Sequence, residues 1–212
     1  MKQILWFAGL AWAALAPLCG QTVEVSVLRG WARMSKTPLG SSSPVSPKDT
    51  DTTFRNGYSN GLRLTWNPHR YYGYELGYLQ TRATLRVKTQ ASKDVPKETL
   101  DRTVKLHQAF IDFLVYWMPK NERFRPFFAL GAQAQKSISP RNVPSWSGYS
   151  TRNYGFHYGL GMKIRLFQHA QVRLDARDCL TGKPYDLDIQ EIMSARGNLR
   201  HQEASVGIGL TF

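Results

Sequence analysis

Residues 201–212 read HQEASVGIGLTF, and their side chains alternate in character with a period of two. Ala204, Val206, Ile208, Leu210 and Phe212 fall on one parity, with Gln202 at its head. His201, Glu203, Ser205, Gly207, Gly209 and Thr211 fall on the other. In an extended strand successive side chains point to opposite faces, so this segment predicts a strand with one apolar face and one polar or bare face.

The same split recurs upstream. Tyr154, Phe156, Tyr158, Leu160, Met162, Ile164 and Leu166 alternate with Asn153, Gly155, His157, Gly159, Gly161, Lys163 and Arg165. Val172 and Leu174 alternate with Arg173 and Asp175, and Phe124, Phe128 and Leu130 face away from Arg125, Gly131 and Gln133. Leu62 and Leu64 oppose Arg63, and Tyr72, Tyr74, Leu76 and Tyr78 oppose Gly73, Glu75 and Gly77. From Leu79 to Val87 the apolar parity shifts to Leu79, Ala83, Leu85 and Val87, which predicts a β-bulge near Tyr78. Between residues 104 and 118 both parities carry apolar residues; the reading places Ala109, Ile111, Phe113, Val115 and Trp117 outward and Gln108 and Asp112 inward. With Val23–Met34 opening the series, eight strands are predicted.

Alternation alone does not say which face is inside. A soluble barrel or sandwich turns its apolar face inward. Here the polar face combines repeated Gly with charges of both signs: Arg63, Glu75, Asp112, Lys163, Arg165, Arg173, Asp175 and Glu203. Gly weakens a solvent-facing strand, whereas in a narrow lumen it makes room for long neighbours. Opposite charges there satisfy one another. The other face is nearly free of charge, as lipid requires, since a charge at the bilayer midplane costs about 2–4 kcal/mol. The expected fold is a single all-β domain, an eight-stranded antiparallel up-and-down transmembrane barrel over residues 21–212.

The connectors agree. Turns at 67–70, 119–122 and 168–169 are short, whereas 35–52, 88–103, 136–151 and 178–198 are long and polar. That asymmetry belongs to outer-membrane barrels with both termini on the periplasmic side. Trp66, Tyr72, Tyr74, Tyr116, Trp117, Phe124 and Phe212 gather near the short turns and are assigned to an aromatic girdle at headgroup level. Trp31, Phe54, Tyr58, Tyr154 and Phe156 form its counterpart toward the loops.

The first twenty residues read differently. Lys2, the apolar run ILWFAGLAWAAL and small residues up to Gly20 have the layout of a cleavable signal peptide. Cleavage after Gly20 leaves Cys179 as the sole cysteine and no intramolecular disulfide. The net charge of +13 suits an anionic partner. Export argues against nucleic acid. The His residues at 69, 107, 157, 169 and 201 lack metal-ligand spacing, and no cofactor is expected.

These features together resemble the small eight-stranded outer-membrane barrels, the OmpA transmembrane domain and OmpX among them. The resemblance spans residues 22–212 and rests on the signal peptide, the alternation, the turn asymmetry and the closing VGIGLTF. It implies a bacterial outer-membrane location, contact with outer-membrane lipids, and delivery to the barrel-assembly machinery through the strand ending at Phe212. It also implies a monomer.

An eight-stranded barrel has room for side chains and little else, so a packed polar lumen with a structural or surface-interaction role is the leading expectation. A narrow pore is one alternative. Another is a lipid A-modifying enzyme of deacylase type, which needs Ser59 beside His107, His157 or His201 on the outer wall. No catalytic residue is assigned in the leading reading. The loops are where specific interactions are expected. A short helix is predicted over 188–196, and Lys88, Lys93 and Lys97 are placed to meet anionic headgroups or solvent.

Overall fold

The computed structural model describes residues 22–35, 50–89, 98–138, 150–182 and 199–212. They form eight strands: β1 Thr22–Met34, β2 Thr50–Asn67, β3 Tyr72–Thr89, β4 Glu98–Tyr116, β5 Phe124–Ile138, β6 Ser150–Arg165, β7 Ala170–Thr181 and β8 Leu199–Thr211. Each pairs antiparallel with its neighbour in the chain, and β8 closes on β1 to make a barrel with strand order β1 to β8. Closure leaves no edge strand among the eight described, as a sheet in hydrocarbon requires. The signal-peptide segment, the helix predicted over 188–196, and Lys93 and Lys97 lie outside the described residues.

Side-chain direction settles the question that alternation left open. Leu62, Leu64, Leu76, Ile111, Leu130, Leu160, Val206, Ile208 and Leu210 are exposed on the outer wall. Arg63, Glu75, Asp112, Lys163, Arg173, Asp175 and Glu203 are buried inside it. An apolar belt of this extent on a soluble protein would drive aggregation; around a barrel it is a lipid-facing surface. Along β4 and just past its end, the outward set is Ala109, Ile111, Phe113, Val115 and Trp117, as expected, with Gln108 and Asp112 inward.

Several expectations are corrected. No bulge interrupts β3 at Tyr78; its register with β4 runs unbroken from Tyr72↔Val115 to Thr89↔Glu98. Leu79, Ala83 and Leu85 are apolar and nevertheless point inward. The irregularity lies instead in β2, between Arg55 and Tyr58. It turns Phe54 into the lumen, so this ring leaves the loop-side girdle. Tyr116 is also buried in the lumen and is not part of the turn-side girdle. The strands reach farther than expected: β3 and β4 pair out to Thr89↔Glu98, which cuts deeply into the segment read as the 88–103 loop. These outer strand ends are polar on their exposed face and apolar inside, the reverse of the alternation that marks a membrane strand.

Candidate functional site

The inward parity of the eight strands builds a lumen in layers. Nearest the short turns, Glu24 accepts hydrogen bonds from Asn67 Nδ2 and Gln171 Nε2, both at 2.8 Å, and pairs with Lys163. Lys163 also donates to the Tyr116 hydroxyl at 2.9 Å. The Arg125 guanidinium lies over the Tyr116 ring, its Cζ 3.3 Å from the ring centre. Tyr116 is thus an inner ring for two cations, which explains why it faces away from lipid.

The middle layer is a network of three arginines and three carboxylates. β7 supplies Arg173, Asp175 and Arg177 at the two-residue step that keeps all three inside. Arg63 donates to Asp175 Oδ1 at 2.8 Å and to Glu75 Oε1 at 3.3 Å. Arg173 donates to Asp175 Oδ2 at 2.7 Å and to Glu75 Oε1 at 3.0 Å. Arg177 reaches Glu75 Oε1 at 2.9 Å and pairs with Asp112, which also lies 2.5 Å from His157 Nε2. Two rings pack against the arginines: Phe110 meets Arg63 and Arg177 at 5.2 and 5.1 Å, and Phe127 meets Arg173 at 4.8 Å.

Above this layer the charge thins out. Ser59 donates to Glu203 Oε1 at 3.1 Å, and Gln108 bridges Gln135 at 3.2 Å and His201 at 3.0 Å. Toward the loops the lumen turns apolar, filled by Ala32, Met34, Phe54, Ala83, Leu85, Val104, Leu106 and Leu199. The parity shift in β3 therefore marks a change in what fills the barrel.

Five carboxylates, Glu24, Glu75, Asp112, Asp175 and Glu203, are buried with five cations, Arg63, Arg125, Lys163, Arg173 and Arg177. These ten buried charges balance, so the excess of positive charge in this chain lies outside this set. Of the lumen residues expected from sequence, seven are buried here. Arg165 is not: it is part-exposed at the turn-side mouth, where its guanidinium donates to the carbonyls of Lys120 and Asn121. Glu24, Arg125 and Arg177 join the network by the same parity, and His157, weighed above as a partner for Ser59, serves it as a neighbour of Asp112. Arg177 is one two-residue step beyond Asp175.

The outer wall carries Trp66, Tyr72, Tyr74, Trp117, Phe124 and Phe212 exposed near the turns. Trp66 stacks on Tyr74 at 5.8 Å between centres, and Tyr74 and Tyr72 meet Phe113 at 5.6 and 6.0 Å. The hydrolase alternative needs Ser59 beside a histidine on this wall. Ser59 instead faces the lumen and donates to Glu203, while His107 on the outside is bonded to the Tyr78 hydroxyl at 2.5 Å.

A closed antiparallel barrel with an apolar exterior and a charged interior defines a β-barrel membrane protein. The chain belongs to the outer membrane protein beta-barrel domain family, whose model matches residues 9–212. That family places it in the bacterial outer membrane. Among solved structures it is similar to the outer membrane protein OprG of Pseudomonas aeruginosa, with TM-score 0.64 and 15% identity over 90% of this chain and 95% of that one. It is also similar to Neisserial surface protein A, with TM-score 0.57 and 12% identity over 92% and 98% of the two chains. Ail of Yersinia pestis, solved with the heparin analogue sucrose octasulfate, gives TM-score 0.53 and 14% identity over 92% and 100%. At these identities the likeness is one of fold. Among curated proteins none matches the sequence.

Proposed function

We propose that this chain is a monomeric, non-enzymatic, sealed barrel that serves as a rigid mount for surface loops. In this reading the polar network stands in for a hydrophobic core, and both termini and the short turns are periplasmic. The segment 1–20 directs export, and the strand ending at Phe212 is recognised during assembly. The rings of Trp66, Tyr72, Tyr74, Trp117, Phe124 and Phe212 sit at headgroup level.

One observation carries this reading: a charge-balanced network lies beneath an apolar plug within the same narrow lumen. An ion entering from the turn side would meet fixed ion pairs. One entering from the loop side would have to shed its water among Phe54, Leu85 and Leu106.

The purified barrel in planar bilayers tests this. The expected result is heat-modifiable migration on gels, reporting a folded barrel, without discrete conductance steps. Stable steps from heat-modifiable protein would replace the sealed mount with a pore. Biotinylation of intact cells carrying a cysteine at position 45 or 190 tests the orientation, with labelling expected. No labelling at either site would place the long loops in the periplasm.

A further inference from the structure

The balanced lumen leaves the basic excess elsewhere, and part of it has a defined place on the outer wall. Arg82 and Lys105 are register partners, and so are Lys136 and Arg152, with His107 beside Lys136. All four cations point outward and are exposed. Like charges directly opposite one another destabilise a sheet. Among the described residues none of the four has a carboxylate within ion-pair distance, whereas neighbouring Arg86 is held by Asp101 at 2.7 Å. Such pairs call for an anion from outside the chain.

Directly below Lys136 and Arg152 the wall is notched. The row Tyr78–Ala109–Ala134–Tyr154 sets two small side chains between two tyrosines. The notch measures about 250 Å³ and is lined by Tyr78, His107, Ala109, Ala134, Lys136 and Arg152, among others. Its depth in the membrane follows from strand geometry. Lys136 lies twelve residues along β5 from Phe124. At about 3.3 Å per residue and about 40° of tilt this is roughly 30 Å, just past an apolar band about 25 Å tall. The notch is therefore at acyl-chain depth and the cations at the headgroups of the loop-side leaflet.

We propose that this face of β3 to β6 binds a bisphosphorylated, multiply acylated glycolipid of the lipid A class. One acyl chain lies over Ala109 and Ala134 between the two tyrosines. One phosphate bridges Lys136 and Arg152. The second reaches Arg82 and Lys105, whose row is two residues farther along the strands, about 7 Å away. Gln80, His107 and the tyrosine hydroxyls offer hydrogen bonds to the sugars. A glycerophospholipid with one phosphate could satisfy one cation pair and leave the other unpaired. This inference rests on the loop side being the cell surface, where such a lipid would be met.

The test is lipid retention measured by native mass spectrometry. The full mature barrel is released from nanodiscs containing bisphosphorylated lipid A, its dephosphorylated form or phosphatidylglycerol, each in phosphatidylethanolamine. Lipid is present in both leaflets, so neither orientation nor conductance affects the outcome. The bisphosphorylated lipid is expected to be retained preferentially over both others. K136Q/R152Q is expected to lower its retention roughly thirtyfold, as two cations near an anionic lipid surface would. A134F, which fills the notch, is expected to weaken all three lipids by a similar factor. Both variants are compared as heat-modifiable, folded protein, and R29Q, on the opposite side of the barrel, serves as a control expected to match wild type. Equal retention of the three lipids by wild type would overturn the proposal, as would wild-type retention by K136Q/R152Q.

Discussion

Gly77 on β3 and Phe110 on β4 are register partners, and the Phe110 ring lies across the place where a side chain at 77 would stand. A Cβ there would come within 2.0 Å of Phe110 Cζ. Terminal ring atoms can often swing aside. This ring cannot do so freely, because the guanidiniums of Arg63 and Arg177 rest against it. Gly77→Ala is therefore expected to destabilise the folded barrel by about 1–3 kcal/mol, the usual cost of overpacking. Urea unfolding in detergent micelles measures it. G77A/F110L is expected to recover part of the loss, and strict additivity of the two changes would show that the contact is not the cause.

The middle network makes a sharper statement about charge. Arg173 holds both Glu75 and Asp175, and all three are fully buried. Arg173→Met leaves two carboxylates with fewer partners and is expected to cost about 3–5 kcal/mol. R173M/D175N restores the charge balance and is expected to be more stable than R173M alone. A double variant less stable than R173M would mean that hydrogen-bond geometry matters here more than net charge.

How much of this was legible in the sequence depends on where along a strand one looks. In β6 and β8, Gly and charge mark one face and large apolar residues the other, so both direction and environment could be read. In β3 the rule held only up to Tyr78. Beyond it the inward residues Leu79, Ala83 and Leu85 are apolar while Arg82 and Arg86 face out. Past the hydrocarbon the outer wall meets polar surroundings, and the lumen changes from a charged to an apolar filling. Both polarities invert together, and a period-two pattern that inverts looks like a bulge. Phe54 and Tyr116 failed for a related reason: an aromatic residue suits a girdle or a cation-stacking ring in the lumen, and composition does not distinguish them. The notch on β4 and β5 was invisible because it depends on cross-strand register.

Asp101 and Arg86 join the outer ends of β4 and β3 by two hydrogen bonds of 2.7 Å. Asp101 is fifteen residues along β4 from Tyr116, which places it beyond the apolar band. The hydrogen bond from Arg86, helped by its charge, holds the Asp101 carboxyl below its ordinary value. A depressed carboxylate contributes stability that is present above its unfolded pKa and lost as pH falls through the folded one. The difference in stability between wild type and D101N is thus expected near neutral pH and to vanish in strong acid. Both groups are exposed, so high salt is expected to shrink the difference as well. A difference that grew on acidification would reverse the sign and reject the pairing.

Cys179 offers a test of the seal that does not depend on current. Its side chain is buried in the lumen, one two-residue step above Arg177 and opposite His201. A reagent arriving from the turn side must pass the ion pairs, and one arriving from the loops must pass the plug. Thiol alkylation requires a thiolate in contact with the reagent, and neither route provides it while the barrel is packed. A bulky water-soluble maleimide is expected to leave the folded mature protein unlabelled for hours and to label it fully once unfolded in urea. T103C, exposed near the outer end of β4, should react within minutes under the same conditions. Replacing Phe54, Leu85 and Leu106 with serine together removes the barrier on the loop side and is expected to speed labelling of Cys179 while the network below still blocks conduction. If Cys179 in the wild-type barrel reacted as fast as T103C, the lumen would be open to solvent, and the seal on which the proposed function rests would not exist.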